Sequence, residues 1–331
     1  MRTRVVFMGT PDFAVPALRL LLGSSLVEVV GVVTQPDRPV GRKRVLTPTP
    51  VKVEAQKHGL PVLQPERLRR GEALDELRAL QPELIVTAAY GQILPPSVLE
   101  LPRLGCINLH ASLLPKYRGG APIHYAVMNG DAVTGVTIMY MAEGLDTGDM
   151  ISRIEVPIGD DDTTGTMFDK LSDAAAELLE QTLPALLNGT VQAVPQDESQ
   201  AVYSPNVSRE LERIDWSLPS LRIWNLVRAL YPRPGAYTLW NGDVLKVWTC
   251  AKPDGPGGRS VDGVVPGTVL EAGAQGIVVA TGDGVLRITE LQPAGKKAMD
   301  AATFARGGQL APGTVLGLAA QSPETGVDSA T

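Results

Sequence analysis

Two cysteines in 331 residues, Cys106 and Cys250, are too few and too far apart for a disulfide framework or a cysteine-ligated zinc motif. That scarcity points to a reducing compartment, and a cytoplasmic location is expected. No run of about 18 apolar residues occurs, so no membrane-spanning helix is expected. The start "MRTRVVFMG" enters a strand pattern without the apolar h-region and cleavage site of a secretory signal. Positive charge is also short: the net charge is −6, which disfavours a uniformly basic, DNA-coating protein while leaving RNA binding by a local patch open. Chemical fingerprints are missing as well. "GTPDF" follows the first apolar run, yet no G-x-G-x-x-G or Walker A sequence is present, which disfavours a nicotinamide enzyme or an NTPase. H-E-x-x-H and G-x-S-x-G are likewise absent.

What is present is regular. Five apolar runs, at 4–8, 28–33, 84–90, 106–111 and 134–141, alternate with helical patterns at 12–22, 50–58, 70–80 and 121–129. This alternation predicts an α/β domain built on a parallel sheet with helices on both faces, whose ligands bind beyond the carboxyl ends of the strands. A further helix is expected over 164–187, with Asp162 or Thr163 as its N-cap. The stretch 188–208 is polar and without period, and is read as an interdomain linker. A helical pattern at 218–230 and five short strand patterns follow, the first two joined by Asn241-Gly242-Asp243, a hairpin signal. Five short strands predict a small closed barrel, of which the OB type is one. The division is 1–188, a linker at 189–207, a second domain at 208–310 and a mobile tail at 311–331. "PGTVL" occurs at 266–270 and again at 312–316, a single recurrence and not a repeat array.

The chemistry concentrates in "GCINLHASLLP", residues 105–115. Side chains alternate along a strand, so Cys106, Asn108 and His110 share one face. Cys106 and His110 are about 13 Å apart along such a strand, too far for a nucleophile–base pair, whereas Asn108 and His110, about 6.6 Å apart, can converge on one substrate atom. A carboxylate partner is available in "EGLDTGD" (143–149), as Asp146 or Asp149. An amide donor, an imidazole and a carboxylate suit transfer at a carbonyl carbon: one donor for an oxyanion, one proton carrier, one group tuning the carrier. The bland alternatives are a satisfied core histidine and a turn-forming aspartate.

The motifs, taken together, resemble those of the folate-dependent formyltransferases. They run in family order: "GTPDFAVPAL", "TQPDRPVGRKRVLTPTPVK", "AYGQILP", N-x-H, "SLLP", "YRGGAPI", "TGVT", "GLDTGD", "RIDWS", "KVW" and "LQPAGKKAM", over about residues 4–310. The resemblance implies a Rossmann-like first domain and an OB-like second domain that binds tRNA. It assigns catalysis to Asn108, His110 and Asp146, and folate contact to Ser112, Leu113, Leu114 and Pro115, with Ile93 and Leu94 of "GQILP" completing an apolar slot. The implied reaction moves a formyl group from 10-formyltetrahydrofolate to the α-amino group of methionine on initiator Met-tRNA. The carbon arrives at the formyl oxidation level, so no metal or redox cofactor is implied. The implied partners are that tRNA and the folate co-substrate, with no membrane and no DNA, and a monomer is expected.

Three positions depart from the family pattern: Gly120, where alanine is usual, His124, usually glutamine, and Arg233, commonly an aromatic. For tRNA the first domain offers "DRPVGRKR" (37–44), a basic loop carrying Arg38, Arg42, Lys43 and Arg44, which is read as contacting phosphates. Residues 208–310 carry 12 Lys and Arg against 10 Asp and Glu, the less acidic part of the chain. Two other readings stay open: a formyltransferase for a small amine, and an RNA-binding protein with a vestigial catalytic domain.

Overall fold

A computed structural model describes residues 2–41, 43–68, 71–254 and 261–318. The chain divides into two compact units, the first made of 1–123, 132–158 and 166–206, the second of 124–131, 159–165 and 207–331.

The first unit is organised on one seven-stranded sheet. Its strands are β1 (Thr3–Gly9), β2 (Val27–Val33), β5 (Val62–Leu63), β6 (Leu84–Ala88), β7 (Cys106–His110), β8 (Val133–Tyr140) and β9 (Met150–Pro157), in the spatial order β5-β2-β1-β6-β7-β8-β9. The first five are mutually parallel, and the order reverses at β1, the kind of switch point that opens a crevice at the strand ends. Val5, Val6, Phe7 and Met8 of β1, and every residue of β6, are buried. Strands apolar on both faces in this way must be covered on both faces. The last two strands correct the expectation of a purely parallel sheet: β8 runs antiparallel to β7, and β9 antiparallel to β8. β9 closes the edge with alternating exposure.

Helices α1 (Val15–Gly23), α2 (Pro50–Lys57), α3 (Glu72–Ala79) and α4 (Pro96–Leu99) fall between strands, as the alternation predicted for the longer ones. α2 starts where the sequence says it should: Thr49 accepts a hydrogen bond from the Lys52 N–H at 3.1 Å, and Pro50 takes the first helical position, where its missing N–H costs nothing. Helix α6 (Thr164–Leu187) belongs to this unit from residue 166 on, whereas α5 (Pro122–Met128) is counted mostly with the second.

Two stretches differ from the sequence reading. Residues 37–44 are not a plain loop: β3 (Arg38–Val40) and β4 (Val45–Thr47) pair as a small antiparallel hairpin outside the main sheet. The polar stretch after α6 is not a free linker either. Residues 202–204 run beside 115–121 through backbone hydrogen bonds, including Arg118 N–H to Val202 O (2.8 Å) and Ser204 N–H to Arg118 O (2.7 Å). Main-chain pairing needs no side-chain period, which is why composition alone did not reveal it.

In the second unit, α7 (Ser220–Ala229) precedes a six-stranded sheet: β10 (Ala236–Trp240), β11 (Asp243–Cys250), β14 (Val285–Pro293), β13 (Gly276–Ala280) and β12 (Val269–Gly273) in spatial order, with β15 (Met299–Asp300) added to β14. Every pairing is antiparallel. The β10–β11 turn is the expected two-residue one: Trp240 pairs with Asp243, and Asn241 and Gly242 both have positive φ. α8 (Ala301–Arg306) follows, capped by Asp300, which accepts from the Thr303 N–H. The ladder does not close on itself. The two PGTVL segments meet instead: Val269 N–H bonds Thr314 O, Leu316 N–H bonds Gly267 O, and Gly317 N–H bonds Leu239 O, so 313–317 reaches both edge strands. Part of the stretch read as a mobile tail is thereby tied down, while 319–331 lie outside the described residues.

Candidate active site

β7 carries the site because it is a strand interrupted by polarity on one face. Its pairing sets Asn108 beside Thr87 of β6 on one side and beside Met139 of β8 on the other. The Thr87 hydroxyl lies 2.8 Å from Asn108 Oδ1 and donates to it, which turns the carboxamide so that its amino group faces away from β6. His110, 6% exposed, has Nε2 2.9 Å from the Tyr117 carbonyl. A carbonyl only accepts, so Nε2 bears the hydrogen and Nδ1 is the nitrogen left for chemistry. Nδ1 lies 3.7 Å from Asp146 Oδ2.

Asp146 arrives from an unexpected direction. Because β8 is antiparallel to β7, Tyr140 ends opposite Ile107, and the following loop must fold back over the sheet to bring a carboxylate to His110. Asp146 itself has φ +52°, a left-handed conformation uncommon outside glycine, asparagine and aspartate. Its Oδ2 accepts the Gly119 N–H at 2.8 Å, and that glycine has φ +114°. A Cβ at Gly119 would stand 2.8 Å from the Ser204 carbonyl, so a side chain there would push the 119 N–H off Asp146.

Cys106 shares the face of Asn108 and His110, as the period requires, but takes no part. Its thiol is buried, lies 3.6 Å from the Val98 carbonyl, and is pushed up to about 12 by burial. Cys106 is therefore unsuited to act as a nucleophile. Among the described residues no cluster of His, Cys, Asp and Glu is arranged to hold a metal ion.

The residues matched to folate contact fall into two groups. Ser112, Leu114 and Leu94 are buried, and the Ser112 hydroxyl donates to Lys116 O at 2.6 Å. Thr137 stitches that turn to β8: its hydroxyl accepts from the Leu114 N–H (3.1 Å) and lies 2.7 Å from Ser112 O. Ile93 stays 67% exposed just beyond β6, and Leu145, next to Asp146, is 56% exposed. Leu113 and Pro115 are half-buried, Leu113 lying over Gly135 of β8. Exposed aliphatic side chains such as Ile93 and Leu145 have the chemistry to pack on a flat heteroaromatic ring, whereas Leu94 and Leu114 are buried in the protein.

Of the basic residues of 37–44, Arg38 is ion-paired with Glu66 at 2.7 Å, both exposed, while Lys43 and Arg44 are exposed on the hairpin turn. Arg42 lies outside the described residues. Val40, Val45 and Leu46 are also exposed on this hairpin. The three departures have local surroundings. A Cβ at Gly120 would stand 2.1 Å from Asn206 Oδ1, so the asparagine side chain fills the space an alanine would use. His124 is held below the ordinary histidine range by burial, against a hydrogen bond with the Arg233 backbone. Sequence reasoning missed Thr87, Gln196 and the backbone of Tyr117 and Gly119. "YRGG" hints at the last two through its glycines, but nothing marks Gln196 in its polar stretch.

An amide and an imidazole on β7, with a carboxylate brought to them by the loop after β8, suit group transfer at a carbonyl carbon. The formyl transferase profile matches residues 1–183, and that of the formyl transferase C-terminal domain matches 206–309. The chain is 57% identical over 318 residues to the methionyl-tRNA formyltransferase of Geobacillus thermodenitrificans, covering 95% of this chain and 98% of that protein. It belongs to the formyl transferase family. Two solved structures share the fold at 18% identity. The N-formyltransferase of Helicobacter canadensis in complex with folinic acid and dTDP-3-aminofucose has a TM-score of 0.66, over 87% of this chain and 99% of that one. HypX from Aquifex aeolicus in complex with tetrahydrofolic acid has 0.58, over 92% and 47%.

Proposed function

We propose that the chain transfers the formyl group of 10-formyltetrahydrofolate to the α-amino group of methionine on initiator Met-tRNA, giving formyl-Met-tRNA for translation initiation. The observation that carries this is 57% identity, sustained over both domains, to a protein named for that reaction. The amine attacks the formyl carbon of the folate; the new N–C bond forms, the bond from that carbon to N10 breaks, and tetrahydrofolate leaves with a proton on N10 in place of the one the amine loses.

The chain's own residues then divide the work. The Asn108 amino group, freed on one side by the Thr87 contact, donates to the oxygen that becomes negative as the tetrahedral intermediate forms. His110 Nδ1 takes part in moving the proton that the attacking amine must lose, while the Tyr117 carbonyl fixes its ring. Asp146 faces Nδ1 from 3.7 Å and orients the ring for that transfer. Ile93, Leu94 and the turn 112–115 would hold the pterin.

Arg38, Arg42, Lys43 and Arg44 are assigned to tRNA phosphates, supported by the exposure of Lys43 and Arg44. The second domain is read as OB-like, supported by its antiparallel sheet and by the segment 313–317 that bonds both edges. The enzyme is read as a cytoplasmic monomer, as befits a reaction on tRNA. Among the described residues no helix is long and apolar enough to cross a membrane.

The direct test is turnover of 10-formyltetrahydrofolate with charged initiator Met-tRNA against free methionine and an amino sugar nucleotide. Formylation of the tRNA alone supports the reading. Turnover with the small amines and none with tRNA rejects it.

A further inference from the structure

The buried arginine of "YRGG" has no role in the chemistry described above, and among the described residues it is the largest fully buried side chain. Arg118 is 0% exposed, so its charge must be met by protein. It is met from the polar stretch after α6. Nη1 and Nη2 fork onto Glu198 at 2.9 and 2.7 Å, and Nε and Nη2 donate to Gln196 Oε1 at 3.0 and 2.8 Å.

That second contact decides the orientation of an amide. With its oxygen claimed by the guanidinium, Gln196 presents its amino group the other way, where Nε2 donates to the carbonyls of Asp146 and Gly148, both at 2.8 Å. These two carbonyls bracket the turn that aims Asp146 at His110. Asp146 sits at φ +52°, and a conformation of this kind persists only where its surroundings over-determine it. The loop has no slack on its other side: a Cβ at Gly148 would stand 1.8 Å from the Tyr140 carbonyl.

We propose that Gln196, oriented by Arg118, is a positioning residue for formyl transfer, holding the backbone of 146–148 so that the Asp146 carboxylate faces His110 Nδ1. The inference rests on the reading of Asp146 given above. A glutamine some 50 residues from the aspartate, on a stretch with no pattern of its own, thus belongs to the machinery of the site.

A double-mutant cycle tests this on the full-length chain with Met-tRNA and 10-formyltetrahydrofolate. Gln196→Met removes both donors at nearly constant volume. It is expected to lower kcat roughly 10-fold, the scale on which sub-ångström misplacement of a reacting group registers, with both KM values within about twofold of wild type. Gln196→Glu keeps an acceptor for Arg118, and so keeps the buried arginine satisfied, but has no N–H for the two carbonyls. It sets a carboxylate oxygen against the two carbonyls, so it should lose kcat at least as much as the methionine variant does, while its Tm falls less than that variant's because the contacts to Arg118 remain. In an Asp146→Asn background, Gln196→Glu should cost less than about twofold, because its effect runs through a carboxylate that is already gone.

Wild-type kcat for Gln196→Glu, or the same loss in both backgrounds, overturns the proposal. A loss of kcat that tracks a fall in Tm across the two Gln196 variants overturns it also, since that is the mark of a merely structural residue. Full turnover by Asp146→Asn overturns the role of Asp146 and this inference together. A slow Asp146→Asn beside a fast Gln196→Glu overturns the inference alone.

Discussion

In the proposed reaction two polar side chains on one strand face set the chemistry, and each is held by a neighbour, Asn108 by Thr87 and His110 by the Tyr117 carbonyl. Asn108→Ala and His110→Ala should each lower kcat by at least ~10²-fold, because both act on charge that appears only in the transition state. Far-UV circular dichroism should stay unchanged, and a folded variant at full turnover removes that residue from the site. Thr87→Val keeps the shape of β6 but releases the Asn108 carboxamide. Its kcat should fall less than that of Asn108→Ala, with the KM for folate unaltered; a loss as large as that of Asn108→Ala would mean Thr87 contacts the substrate directly. Period-2 alternation was enough to place Asn108 and His110 together, and a glycine-flanked loop nominated Asp146 or Asp149, the choice of Asp146 coming from the family resemblance. Alternation says nothing of neighbours across the sheet, so Thr87 was invisible, and a polar run without period concealed Gln196.

At the level of elements, strands and helices with strong periodicity were legible and their boundaries fell within a few residues. Short pieces were not. β5 has two residues and β15 two, and β9 alternates so mildly that nothing separates it from a loop. The direction of β8 was also hidden, because hydrophobic pattern is blind to chain polarity. The hairpin of β3 and β4 carries its own forecast. If it grips phosphates, Lys43→Ala with Arg44→Ala should raise the KM for Met-tRNA, leave that for folate alone, and make the log–log salt slope shallower by about 1.4, taking ~0.7 per contact. An unchanged slope rejects that role.

A second element-scale tie joins α1 to α2. Glu54 is buried, its carboxyl brought down to about 2 chiefly by the hydrogen bond from Arg19 and also by Lys57. A carboxyl lowered on folding contributes stability above its unfolded value and loses it as pH falls through the folded one. The Tm gap between wild type and Glu54→Gln should therefore be full near neutrality and shrink between about 4.5 and about 2. A gap that does not change with pH would sever the link to Arg19.

On the scale of the whole molecule, length and the change of pattern along the chain led to the expectation of two domains, and charge distribution singled out the less acidic one. What composition could not convey is how far apart in sequence the partners of a sheet edge lie. The recurrence of PGTVL carried no meaning as a repeat, yet the two copies bond to each other and 313–317 also reaches Leu239. For a chain made from one end to the other, this fixes an order of events. β10 to β14 emerge with both margins of their sheet unbridged, and the piece that spans those margins comes afterwards. Nascent chains halted just before residue 312 should leave these strands open to proteases and to pairing with their own kind, whereas chains halted with residue 318 clear of the ribosome should resist both. The interval between those lengths is the stretch of synthesis during which a chaperone has most to protect.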